Sequence, residues 1–117
     1  MLGVIELLAA FSAPFRATLQ APTHIPRVNK PWVITIRATD LHGRPLRARL
    51  TMRFLFGGVV VGKVDEGRTY TFVGTWREKK GDEIKFPPEA RGQRLTFQAL
   101  VTARGHTLKL NYWVRAR

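Results

Sequence analysis

A double-layered, antiparallel all-β domain is what this sequence predicts, and three observations predict it. Apolar and polar residues alternate with a period of two from Phe15 onward, and turn chemistry recurs roughly every ten residues. No stretch beyond residue 14 carries the three-to-four spacing of an amphipathic helix. At 117 residues and 13.3 kDa the chain has the size of one domain. Hydrophobic residues at 44% and charged residues at 24% match a globular chain and exclude wholesale disorder. The absence of cysteine excludes disulfide frameworks, thiolate zinc sites and thiol nucleophiles together.

Residues 1–13, MLGVIELLAAFSA, form a continuous apolar segment with Glu6 inside it and Pro14 after it, too short to span a bilayer as a helix. It lacks the basic residues that open a secretory signal, whereas Ala10 and Ala13 suit a cleavage site. A signal remnant, a packed N-terminal element and an intermolecular assembly arm are the three readings. In the last, Leu2, Ile5, Leu7, Leu8 and Phe11 make the contacts.

The domain proper covers 14–117. Its first strand alternates Phe15, Ala17, Leu19 and Ala21 against Arg16, Thr18 and Gln20. A stiff connection with Pro22, Pro26 and Pro31 follows, and Trp32, Ile34, Ile36 and Ala38 then point inward on a second strand. Asp40 to Pro45 carries reverse-turn chemistry and doubles the chain back as a hairpin. The third strand is the longest alternation, with Leu46, Ala48, Leu50, Met52, Phe54 and Phe56 inward and Arg47, Arg49, Thr51, Arg53 and Leu55 outward. Gly57-Gly58 turns into a short apolar strand over 59–64, and Asp65 to Arg68 turns again into a strand over 69–76. Residues 77–93 read as one long surface connection, without a strand, that carries Phe86 inward. Strand six places Leu95, Phe97, Ala99, Val101 and Ala103 on one face. After the turn at Arg104-Gly105, strand seven packs Leu108, Leu110, Tyr112 and Val114. About seven such strands make an immunoglobulin-like antiparallel β-sandwich, with a small closed barrel as the alternative.

The run Ile34-Thr35-Ile36-Arg37-Ala38-Thr39-Asp40-Leu41-His42-Gly43-Arg44-Pro45-Leu46 resembles bacterial immunoglobulin-like modules of the invasin and intimin type, which carry a strand, an Asp-x-x-Gly-x-Pro hairpin and a second strand at this place. Asp65-Glu66-Gly67 resembles their second acidic turn, so the likeness covers about residues 28–76. Phe86-Pro87 and the hairpin from Arg94 to Val114 are similar in pattern to the periplasmic sandwich of FixH-like proteins. The resemblance implies a bacterial binding or assembly module, secreted or on the cell surface. Its partner would be another protein or copies of itself, and it would have no cofactor and no catalytic residue. The arginine content departs from the acidic or neutral composition of such spacers.

Catalytic chemistry has little to stand on. Asp65, Glu66, Glu78, Asp82, Glu83 and Glu89 all fall in turns or the long loop, where solvated charge is the ordinary explanation. His24, His42 and His106 fall in loops. In an immunoglobulin topology His42 and His106 emerge at one end, where Asp40 could join them as a metal ligand, but no close spacing such as His-x-His supports that over solvent-facing histidines. No enzyme activity, metal or small-molecule substrate is expected.

Charge exceeds what a plain scaffold needs. Twenty Lys and Arg against eight Asp and Glu give +12, distributed as +2 over 1–30, +5 over 31–64, −1 over 65–90 and +6 over 91–117. Arg37, Arg47, Arg49 and Arg53 share the outward parity of the early strands, and Arg94, Lys109, Trp113 and Arg115 that of the late ones. In immunoglobulin order the third strand neighbours the sixth and seventh, so Arg47, Arg49, Arg53, Lys109, Trp113 and Arg115 are expected on one basic, aromatic-bearing sheet face. Such a face suits an anionic polymer, either nucleic acid or an acidic wall polysaccharide. Solubility and edge protection explain exposed arginines equally well.

Overall fold

The computed structural model describes residues 14–117, which form an all-β antiparallel sandwich. The candidate arm residues Leu2, Ile5, Leu7, Leu8 and Phe11 lie outside the described residues. The strands are β1 (Arg16–Gln20), β2 (Pro31–Trp32), β3 (Thr35–Thr39), β4 (Arg47–Phe56), β5 (Val59–Lys63), β6 (Tyr70–Val73), β7 (Thr75–Arg77), β8 (Ile84–Lys85), β9 (Arg94–Ala103) and β10 (His106–Arg115). One sheet runs β1-β3-β7. A second runs β10-β9-β4-β5, with β6 pairing β4 beside β5, and β2 and β8 make a two-stranded third. The first two are the A-B-E and G-F-C-C′ strand orders of an immunoglobulin-like sandwich.

The alternation read from the sequence is what separates core from surface. Trp32 on β2, Ile34 before β3, and Ile36 and Ala38 on β3 are buried from one layer, and Ala48, Leu50, Met52, Phe97, Ala99, Val101 and Val114 from the other. Trp32 is the hub: its ring meets Phe86 and Phe97 edge-on, at 5.5 and 5.3 Å between centroids. Its indole N–H donates to the Thr23 carbonyl at 2.9 Å, so the ring is buried without orphaning its polar atom. Each such aromatic or branched side chain contributes about 1.5–3 kcal/mol of burial.

Four features depart from the expected elements. The strand over 69–76 is two strands in different sheets, β6 on β4 and β7 on β3. The switch occurs at Gly74, whose φ of +77° strains any side chain and where a Cβ would stand only 3.0 Å from the Pro45 Cβ. The Asp40 to Pro45 turn likewise joins β3 to β4 across the two layers. Only a single Thr39–Pro45 bridge forms there, where a hairpin was expected. Arg37 therefore decorates the opposite layer from the β4 arginines. The long connection contains a strand after all, β8, which pairs with β2 and seats Phe86 in the core. Finally, the β4 alternation fails beyond Met52. The register shifts between Phe54 and Leu55, and the β4–β5 hairpin leaves Phe56, Val59 and Val61 more than half exposed.

The two edges of the larger sheet differ. Along β10, the proline-rich connection lends carbonyls to the strand: Arg115 N donates to His24 O at 2.8 Å and Arg117 N to Pro26 O at 2.9 Å. The segment returns one bond, Val28 N to Arg117 O at 3.0 Å, and its prolines have no N–H to give, so this cover stops the ladder from propagating. The β5 edge carries valines.

Candidate functional site

The basic face follows from register. In the β4–β9–β10 ladder Arg49 lies opposite Thr102 and Thr107, Thr51 opposite Leu100 and Lys109, Arg53 opposite Gln98 and Asn111, and Leu55 opposite Thr96 and Trp113. Arg115 pairs with Arg94 at the end of the same face, and Arg47 extends the β4 row beyond Arg49. All six residues singled out by parity thus share one sheet surface. Neighbours along β4 stand about 7 Å apart, and β4 lies about 10 Å from β10.

Within that surface the six fall into two groups. Arg53, Arg115 and Trp113 are committed to the protein. Arg53 Nε donates to Gln98 Oε1 at 2.7 Å, and Gln98 Nε2 to Asn111 Oδ1 at 2.9 Å, which makes a polar row across three strands and accounts for how Gln98 is buried on an outward face. Arg115 Nε donates to the Gly92 carbonyl at 3.1 Å. Trp113 stacks on His24 at 4.1 Å, with the Arg94 guanidinium 4.9 Å from its ring centre. His24 Nδ1 lies 2.6 Å from the Trp113 carbonyl and the ring also stacks on Tyr112 at 3.9 Å, so this histidine pins the β10 edge. An indole engaged in this way offers less surface for stacking on a ligand than the sequence alone suggests. Arg47, Arg49 and Lys109 are exposed.

Arg104 is exposed as well, with one guanidinium nitrogen donating to the Pro14 carbonyl at 3.3 Å. It lines a hollow of about 260 Å³ with Arg47, Arg49, Thr71, Thr102 and Gly105. Its backbone sits at φ +49°, followed by Gly105 at +74°, the pair of left-handed residues that a two-residue hairpin between β9 and β10 requires. Asn or Gly fills the first of these positions at little cost, whereas a long β-carbon-bearing side chain there costs about 1 kcal/mol. Turn residues have no strand parity, which is why Arg104 escapes a reading by alternation. Three guanidinium groups around one hollow present paired N–H donors that match phosphate, sulfate or carboxylate oxygens.

The histidines and Asp40 do not make a metal site. His42 and His106 do lie at one end of the sandwich. The Asp40 carboxylate, however, accepts from the His42 and Arg44 backbone N–H groups at 2.8 and 2.9 Å. These bonds hold its pKa below the ordinary value, the Arg44 bond foremost. Among the described residues no group of three His, Cys, Asp or Glu is placed to hold a metal.

The acids depart from expectation at Glu78. It is 8% exposed, and its Oε1 meets no hydrogen-bond donor of the protein. Burial first, then the charges of Asp65, Asp82 and Glu83, push its pKa up to about 7. Nearby, Tyr70 donates to Asp65 Oδ2 at 2.6 Å, and burial together with that bond pushes the phenol up to about 12.

Fold and surface together define an antiparallel β-sandwich with one arginine-covered sheet. A solved structure described as an engineered protein is similar over 90% of this chain, with a TM-score of 0.50 and 18% identity, and this chain spans 21% of that one. The likeness bears on the fold alone. No protein-family model and no curated protein matches the sequence.

Proposed function

We propose that the protein is a non-enzymatic, immunoglobulin-like binding module that holds an anionic polymer on the outward face of β4, β9 and β10. The observation that carries this is the convergence of Arg47, Arg49 and Arg104 on one hollow, with Lys109 beside it on the same face. Arg104 adds the argument of cost, because its left-handed backbone favours a residue it is not. Placement outside the cell or on its surface is part of the proposal and rests on the resemblance to invasin and intimin modules. Nucleic acid and acidic polysaccharide share the recognised chemistry, and the experiment separates them. The protein is titrated against single-stranded DNA and against heparin at rising salt. A steep fall of log affinity with log salt is expected, with a slope of about 0.7 per phosphate contacted on single-stranded DNA, and it shrinks by about two when Arg47, Arg49 and Arg104 are replaced by Gln. Binding that ignores salt or these replacements overturns the reading.

A second reading, self-assembly, has its own observation in the apolar β5 edge, where Val59 and Val61 are 65% and 57% exposed. Sedimentation of the wild type against Val59→Lys with Val61→Lys tests it, and a monomer in both cases removes it.

A further inference from the structure

A second cationic hollow lies at the far end of β10. It measures about 450 Å³, and its lining is Arg27, Val28, Lys30, Arg91 and Arg117, four cations around one half-buried valine with no acid among them. Three separate stretches of chain bring these side chains together. Arg27 and Lys30 open and close a turn, with Lys30 N donating to Arg27 O at 3.3 Å and Asn29 taking the left-handed position at φ +61°. Val28 N donates to Arg117 O at 3.0 Å and Arg117 N to Pro26 O at 2.9 Å, which fixes the turn against the end of β10. Gly92 N donates to Ala116 O at 2.8 Å and so brings Arg91 beside them. The hollows near Asp65 and Asp82 mix both signs, with Arg68 in one and Lys63 and Lys85 in the other. The hollow at the end of β10 is lined by one sign only, and a main-chain carboxylate at Arg117 would offset only one charge of the four. Like charges gathered in this way repel one another until an anion joins them.

We infer that this hollow is a second anchor for the anionic polymer, which runs as an extended chain along β10 from the hollow of Arg47, Arg49 and Arg104 to that of Arg27, Lys30, Arg91 and Arg117. The inference rests on the polymer reading above. Arg104 precedes β10 and Arg117 follows it, so the rise of the strand sets the two hollows about 35 Å apart. Arg117 keeps the outward parity of Lys109, Trp113 and Arg115, and Lys109 and Arg94 stand exposed on the face between the two ends. A compact anion meets one hollow alone. A stacked single strand rises about 3.4 Å per nucleotide, so roughly ten nucleotides bridge the gap, and fewer when the strand is drawn out. Once one hollow holds a long chain, the other meets its remaining anions at high local concentration, and the second contact adds affinity without a second association event.

The test titrates the whole chain by calorimetry with oligothymidylates of about four and about sixteen nucleotides, and with heparin fragments of matching lengths. Short chains are expected to bind two per protein, one at each hollow, and long chains one per protein and at least about tenfold tighter. Replacing Arg27, Lys30, Arg91 and Arg117 by Gln leaves one short chain bound and weakens the long one about tenfold, with a salt slope lower by about three on single-stranded DNA. The same loss of charge on and beside the β1-β3-β7 layer, with Arg16, Arg37, Arg77 and Lys80 replaced by Gln, costs less than about threefold. One short chain per protein in the wild type, long-chain affinity that ignores the first set, or equal losses from both sets overturns the proposal. Long-chain binding that falls only when Arg47, Arg49 and Arg104 are replaced removes the bridge and leaves the polymer reading standing, whereas failure of every chain to bind removes both.

Discussion

The basic face and the acid cluster around Glu78 handle charge in opposite ways. On β4 and β10 the cations stand on a regular ladder, outward and solvated, so each costs the fold little and the sum creates a field that reaches beyond the surface. Around Glu78 the acids are drawn together by loops, and one is forced inside, where its charge costs stability. Regular strands spread like charges at fixed spacing. Loops can concentrate them, and a concentrated, partly buried charge is the more selective of the two.

Charge reversal at each region is the largest effect expected and the sharpest test of that contrast. Replacing Arg47, Arg49 and Arg104 by Glu should cost about ten- to a hundredfold in heparin or DNA affinity at low salt, with the melting temperature nearly unmoved. Replacing the exposed Asp82 and the half-buried Glu83 by Lys should leave polymer affinity the same or slightly tighter. Equal losses from both sets would mean that the field of the whole molecule, and no particular face, does the binding.

How much of this was legible in the sequence depends on whether strand parity applied. Arg47, Arg49, Arg53, Lys109 and Arg115 sit where alternation and immunoglobulin order place them, because parity fixes the face and the β4–β9–β10 pairing fixes the neighbours. Parity says nothing of Arg104 in its turn, nor of His24, which reaches Trp113 across 89 residues of sequence. Glu78 was misjudged for a different reason. Glu78-Lys79-Lys80-Gly81-Asp82-Glu83 has the composition of a solvated loop, yet the inward parity of Trp76 runs one more step than composition suggests. The switch between sheets at Gly74 was also hidden, since a positive φ inside an alternating run leaves the pattern of side chains intact. Gly74→Ala, which meets both the strained φ and the Pro45 contact, should destabilise the fold by about 2 kcal/mol in urea unfolding.

The burial of Glu78 predicts a pH dependence with a definite sign. Its folded pKa, about 7, lies above the ordinary 4.5, so the folded state holds a proton that the unfolded state has released between those values. The stability of the wild type therefore falls as pH rises through that window and levels off above it. Glu78→Gln removes the ionisation, and the variant should gain about 1–2 kcal/mol above neutrality, a gain that shrinks toward zero in acid. Denaturant melts at several pH values check this, and a gain that is constant with pH would mean that the carboxyl is solvated.

The smallest effect separates stability from binding at a single residue. Arg104→Gly relieves a left-handed backbone at φ +49° and should stabilise the domain by about 0.5–1 kcal/mol, while removing one of the three guanidinium groups around the hollow. Because that hairpin position favours Gly or Asn on backbone grounds alone, the variant is expected to melt higher and to elute from heparin earlier, with a salt slope lower by about one. A variant that melts higher and binds as before would show that the arginine is tolerated there without serving the face. The basic surface would then be reduced to what β4 and β10 supply from their ladders.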